Sequence, residues 1–264
     1  MTVRRTALIV ASAALLPALT ACGGNATESS EGPREVVVIS SNSYVPYASV
    51  NENGESVGYD VEVMRAVDEL LEDYTFTYDN KDFAQVLVSL DQGRADIAAS
   101  QLVPNEERLK SYLFSETPYT DQSLYIAFPK DGDTFNTLED LEGRKVAVSA
   151  GTIRADLVNE HNATAETKID VQPLQNTWEE MQIGLLSHTY EAAIGTQYDV
   201  QVLGRGELAT SAEPVQVVQT HVAFAKDEEE LKKAVDGALI ELRDSGRLAE
   251  IAEKELGQDL TPKS

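Results

Sequence analysis

Arg108 sits in SQLVPNEERLKSYLFSETPY (residues 100–119), after Pro104 and Asn105 and just past a short apolar strand. A chain often offers side chains to a ligand at such a place. In an acidic chain, however, a surface arginine at a helix start is the default reading, so Arg108 alone assigns no chemistry. Groups that carry catalysis are sparse. There is no P-loop, no G-x-S-x-G and no metal-spaced histidine pattern; His161, His188 and His221 are scattered. The single cysteine, Cys22, cannot form an internal disulfide.

Charge narrows the partners. The 264 residues carry 21 Lys and Arg against 45 Asp and Glu, a net charge of -24. Such a field repels phosphate backbones and anionic membrane surfaces, so nucleic-acid binding is excluded. A hydrophobic content of 42% supports a real core, and the length suits two ordinary domains or one large one.

Residues 1–21 stand apart. MTVRR is a short basic start, and TALIVASAALLPALTA is an apolar run closed by small residues. This is a secretory signal, too short for a permanent span. Cys22 follows at the cut site, and LTAC resembles the lipobox of bacterial lipoproteins, in which the thiol takes a diacylglyceryl group and becomes the new N-terminus. The expectation is an exported protein anchored to the outer face of the cell membrane by lipid on Cys22. Residues 22–34, with the small and polar GGNATESSEGP, read as the lipidated Cys and a flexible tether. The glycosylation sequons at Asn25 and Asn162 read as chance matches.

The elements that must position any site begin at residue 35. EVVVIS is a buried strand, and DVEVMRAVDELLED is a helix with Val61, Met64, Val67 and Leu71 on one stripe and Asp60 as its cap. YTFTYD, the helix DFAQVLVSLDQG stopped by Gly93, and the strand ADIAAS complete a β-α-β-α-β series, which argues a parallel sheet. SLYIAF adds a strand. RKVAVSAG opens a second series: a helix from about Thr152, the strand DVQPL, the helix TWEEMQIGLLSH and the strand YEAAIG. The tail DEEELKKAVDGALIELRDSG is an amphipathic helix with a capping box from Asp227 and Glu230. SLDQGRADIAASQ (89–101) and GLLSHTYEAAIGT (184–196) align without gaps, as two similar lobes would. Ligands in such sheets sit at the carboxyl ends of the strands, here Ser100–Gln101 and Gly195–Thr196.

SYVPYASVNENGESVGYDVEVMRAV, FAQVLVSLDQGRADI, Arg108, FSETPY, LEDLEGRKVAVSAGT and AFAKDEEELKKAVDGALIELRDSG occur in that order. Over about residues 35–255 this set resembles the bacterial extracellular solute-binding proteins that serve ABC importers of polar amino acids. The resemblance implies an α/β, two-lobed periplasmic-binding-protein-like fold of type II, with two crossing hinge strands and closure on the solute. It implies no catalysis and no cofactor, a monomer, and an ABC permease and ATPase as partners in trans. Lobe 1 would be residues 35–126 plus 221–264, and lobe 2 residues 127–220.

By the same resemblance, Arg108 falls on the arginine that grips the ligand's carboxylate. A guanidinium is a planar fork matched to that group. Tyr44 falls on the aromatic that covers the ligand, and Phe83 on its partner. Ser100 and Gln101 fall on the loop that holds the ligand head, and Thr152 on a turn at a helix N-terminus. Three positions depart from the family. Thr196 stands where an acid usually holds the ligand ammonium, and Val103 and Ile153 replace hydroxyls. Either Asp199 swings in from one helical turn on, or the ligand lacks an ordinary α-ammonium. The expected solute is a carboxylate with a neutral or weakly polar far end. Arg154 would meet a second carboxylate or face solvent, the latter being the default. Two other classes stay open: a dehydratase of the cyclohexadienyl type on the same fold, needing a raised-pKa carboxyl in the cleft, and a ligand-binding sensor or adaptor.

Overall fold

The computed structural model describes residues 32–174 and 178–262. The expected signal (1–21), Cys22 and most of the tether lie outside the described residues, as does Thr177 at the expected start of one helix.

The strand sequences alternate, and the alternation decides the architecture. In Arg34–Ser41, Val36 and Val38 enter one core cluster while Ile39 enters another. In Lys145–Ser149, Val146 and Val148 enter one cluster and Ala147 a second. Successive side chains of a strand point to opposite faces, so each sheet is apolar on both faces and each face must be covered. On the first sheet, helix Tyr59–Asp68 and the C-terminal helices Glu229–Asp244 and Arg247–Leu256 cover one face, and Phe83–Asp91 covers the other.

The first sheet runs in the order Tyr74–Lys81, Arg34–Ser41, Ile97–Leu102, Gln219–Phe224, Leu113–Phe114. The first three strands are parallel, and Gln219–Phe224 lies antiparallel beside them. The second sheet repeats the plan: Asp170–Leu174, Lys145–Ser149 and Ala192–Thr196 are parallel, with Leu124–Pro129 antiparallel and Leu208–Thr210 at the edge. The antiparallel strand of each sheet is the one that the chain delivers on crossing from the other sheet. The two crossings run side by side: Gln219 and Thr220 pair with Asp121 and Thr120, and Leu124 bridges Gln216. This is the two-lobed, type II α/β fold. A small three-stranded sheet, Ser43–Tyr44, Ala48–Val50 and Ser56–Val57, leads from the first strand to the first helix.

Three local expectations need correction. The first helix ends at Asp68, not near Asp73; the chain turns through Leu70, whose N–H bonds the Val67 carbonyl. Leu71 still packs on the same core, which is why the helical period ran on. Asp60 does not cap this helix. Gly58 holds that place at φ 111, with its α-carbon against the Tyr47 carbonyl, where a Cβ would come within 2.6 Å of the oxygen. In the tail, Glu228 takes the cap position of the long helix without a side-chain cap bond, so Asp227 and Glu230 form no capping box.

Candidate functional site

A cavity of about 200 Å³ opens where the two sheets face each other. Tyr44, Gln101 and Val103 line it from the side of the first sheet, and Thr152, Ile153, Arg154 and Thr196 from the second. Its floor belongs to the crossings, with Gln122 and Leu124 on one and Val218 and Thr220 on the other. Gln101 and Thr196 stand at the carboxyl ends of their strands, where α/β sheets place ligands.

Four of the seven ligand residues expected from the sequence thus meet around one cavity: Tyr44, Gln101, Thr152 and Thr196. The other three do not line it. Ser100 is fully buried, and its hydroxyl accepts the Ser41 amide at 3.2 Å, tying neighbouring strands. Phe83, the first residue of its helix, is half exposed. Arg108 opens the short helix Arg108–Ser111, where its amide bonds the Asn105 side chain. Its Nη1 donates to the carbonyl of Val103 at 2.8 Å, which brings the guanidinium to a residue of the cavity wall.

Gln101 holds the floor together. Its backbone is left-handed, at φ 48, a conformation rare outside glycine and common at functional sites. Its Nε2 donates to Asp60 Oδ1 at 2.5 Å and to Thr120 Oγ1 at 3.1 Å. Its Oε1 accepts from Gln122 Nε2 at 3.2 Å and Thr220 Oγ1 at 3.3 Å, one from each crossing. The Tyr119 hydroxyl accepts the Gln101 amide and donates to Asp60 Oδ1. One carboxamide therefore joins the sheet end to both hinge strands. Beneath it, Asp60 is shut off from water, and among the described residues its Oδ2 has no partner. Burial pushes this carboxyl up to about 7, against the pull of the Gln101 and Tyr119 hydrogen bonds.

The opposite wall is built on a π-helix. Tyr198–Leu203 follows the strand Ala192–Thr196 directly, and such turns often mark functional sites. Asp199 Oδ2 accepts the Thr196 amide at 2.8 Å, the Thr196 hydroxyl at 3.0 Å and Arg154 Nη2 at 2.7 Å. The Arg154 side chain lines the cavity and is only 23% exposed, so the solvent-facing reading of Arg154 is corrected. The Asp199 carboxylate does reach Thr196, but it is engaged with an arginine. Sequence reasoning passed over this pair because the partners lie 45 residues apart. Aromatic rings step across the same region: Tyr44 lies 5.0 Å from Tyr47, and Tyr47 5.9 Å from Tyr198.

A two-lobed α/β frame with hinge crossings at the floor of an interlobe cavity offers a small solute a site between its lobes. The chain belongs to the bacterial extracellular solute-binding proteins, family 3, which it matches over residues 36–258. It is 28% identical to the L-cystine-binding protein TcyJ of Bacillus subtilis over 250 residues, covering 92% of this chain and 91% of that one. It is also 28% identical to the L-cystine-binding protein TcyK of the same organism, covering 97% of each chain. Among solved structures, the probable amino-acid ABC transporter extracellular-binding protein ytmK of Bacillus subtilis superposes with a TM-score of 0.74 at 28% identity, covering 86% of this chain and 99% of that one. The chain is a solute-binding protein, and its family is one of binding proteins rather than enzymes.

Proposed function

We propose that the protein captures a small carboxylate-bearing solute, an amino acid or a close relative of one, between its lobes and delivers it to an ABC importer. The observation that carries this reading is the cavity whose walls come from both sheets and whose floor is both crossing strands. A solute there touches every part that moves when two lobes rotate about a hinge. Lobe 1 comprises residues 35–126 and 221–264, and lobe 2 residues 127–220. Arg108 grips the carboxylate, and Tyr44 and Phe83 enclose the solute body. Ser100 and Gln101 shape the pocket on one side and Thr152 and Thr196 on the other. The names of the relatives narrow the class further: two bind L-cystine, so cystine and related amino acids are the first solutes to test. The chain is exported, held to the outer face of the cell membrane by lipid on Cys22, and works as a monomer with a permease and an ATPase in trans.

The dehydratase alternative needs an acid in the cleft. Among the described residues, Asp60 is the carboxyl that burial raises, and it lies wholly buried beneath Gln101, away from the cavity wall. A group sealed from the solute has no route to protonate it, and the binding reading is the better supported.

A thermal-shift screen of carboxylated solutes tests the reading. A ligand at 100 times its Kd stabilises the fold by about 2.7 kcal/mol, a readily measured shift. No shift with any amino acid, cystine included, would count against it.

A further inference from the structure

Among the described residues, Arg154 is the only charged side chain that lines the cavity, in a chain of net charge -24. Its surroundings hold it still without using it up. A guanidinium has five N–H donors in a fixed fork, and among the described residues the Arg154 side chain makes one hydrogen bond, from Nη2 to Asp199. The accepting oxygen is itself fixed by the amide and hydroxyl of Thr196, so Asp199 stays in place whether or not Arg154 bonds a further group. Val103, Leu124, Ile153 and Val218 supply apolar lining around it, and a charged hydrogen bond strengthens as water is excluded.

We infer that Arg154 determines specificity by reading a second anionic group on the solute, with Asp199 and Thr196 as its positioning residues. The inference rests on the reading above, in which Arg108 holds the first carboxylate. A solute with a carboxylate at each end spans the cavity from the Arg108 side to Arg154. A far-end ammonium is opposed, because the carboxylate that would receive it already carries a guanidinium. On this inference the far end of the solute is anionic rather than neutral or weakly polar.

Titration calorimetry at physiological salt tests this with two pairs of probes in which one member alone carries a second carboxylate. L-glutamate is compared with L-glutamine, and L-cystine with S-methylthio-L-cysteine, which keeps the disulfide and loses one amino-acid head. In at least one pair the doubly carboxylated member binds about tenfold tighter or more, the worth of one charge-assisted hydrogen bond. Arg154→Met brings that ratio close to one, Arg154→Lys keeps part of it, and Arg108→Met weakens both members together. No preference in either pair of wild type, absence of binding included, overturns the inference, as does a ratio that survives Arg154→Met. If the ratio survives while Arg108→Met weakens both members, the inference falls and the carboxylate-grip reading stands. If Arg154→Met abolishes the ratio and Arg108→Met changes neither affinity, it is the Arg108 reading that falls.

Discussion

Arg154 and Asp199, 45 residues apart in the chain, share a 2.7 Å hydrogen bond on the second-sheet side of the cavity. Both side chains are mostly buried, and the same carboxylate oxygen closes the turn at Thr196. Asp199 therefore has a structural duty besides its charge. Asp199→Ala leaves the Thr196 amide and the Arg154 guanidinium without their acceptor, and should cost roughly 1–3 kcal/mol. Urea unfolding measures this; a loss of a few tenths or less would mean that the pair contributes nothing to the wall.

Asp60 makes stability depend on pH. Its folded pKa, about 7, lies above its unfolded value of 3.8. Between those values the folded state holds a proton that the unfolded state has lost, so stability falls as pH rises from about 4 to about 7 and levels off beyond. Asp60→Asn keeps an acceptor for Gln101 and Tyr119 and removes the ionisation. It should flatten this stretch of the curve and stabilise the protein at pH 8 by on the order of a few kcal/mol. An unchanged profile from thermal unfolding at stepped pH would contradict the assignment.

Gly195 packs beneath the ring of Trp178, where a Cβ would fall 2.5 Å from Cζ3. Gly195→Ala must push the buried indole out of place, at a cost of about 1–3 kcal/mol. Trp178 is the only tryptophan, so its fluorescence reports the shift directly. An emission spectrum and stability matching wild type would show that the contact is relaxed.

On the proposal that Cys22 carries the lipid, Cys22→Ser should leave the protein without acyl mass and release it from the membrane fraction. Mass spectrometry of protein from cells decides; wild type without attached acyl mass would end the anchoring proposal.

The two lobes were legible because the signals for them are local. Val36, Val38 and Ile39, or Val146, Ala147 and Val148, announce sheets covered on both faces, and the echo between 89–101 and 184–196 maps onto matching strands of the two sheets. The cavity was legible in part, since Gln101 and Thr196 end those strands. What was hidden depends on long-range contact. Asp60 looks like a helix cap in sequence, yet its partners Gln101 and Tyr119 come from 41 and 59 residues away. Arg154 looks like a surface residue until the π-helix brings Asp199 to it. The last helix, Arg247–Leu256, escaped notice because Gly246 reads as an end; at φ 81 it is the turn between two helices.

Whether a carboxylate-bearing solute binds between the lobes is decided by a co-crystal structure with the tightest solute from the screen. The solute is expected in the cavity between Tyr44 and the Thr152–Arg154 turn, with a carboxylate on the Arg108 guanidinium and the floor formed by Gln101 and the two crossings. A solute bound elsewhere on the protein, or one in the cavity with its carboxylate turned away from Arg108, would contradict it.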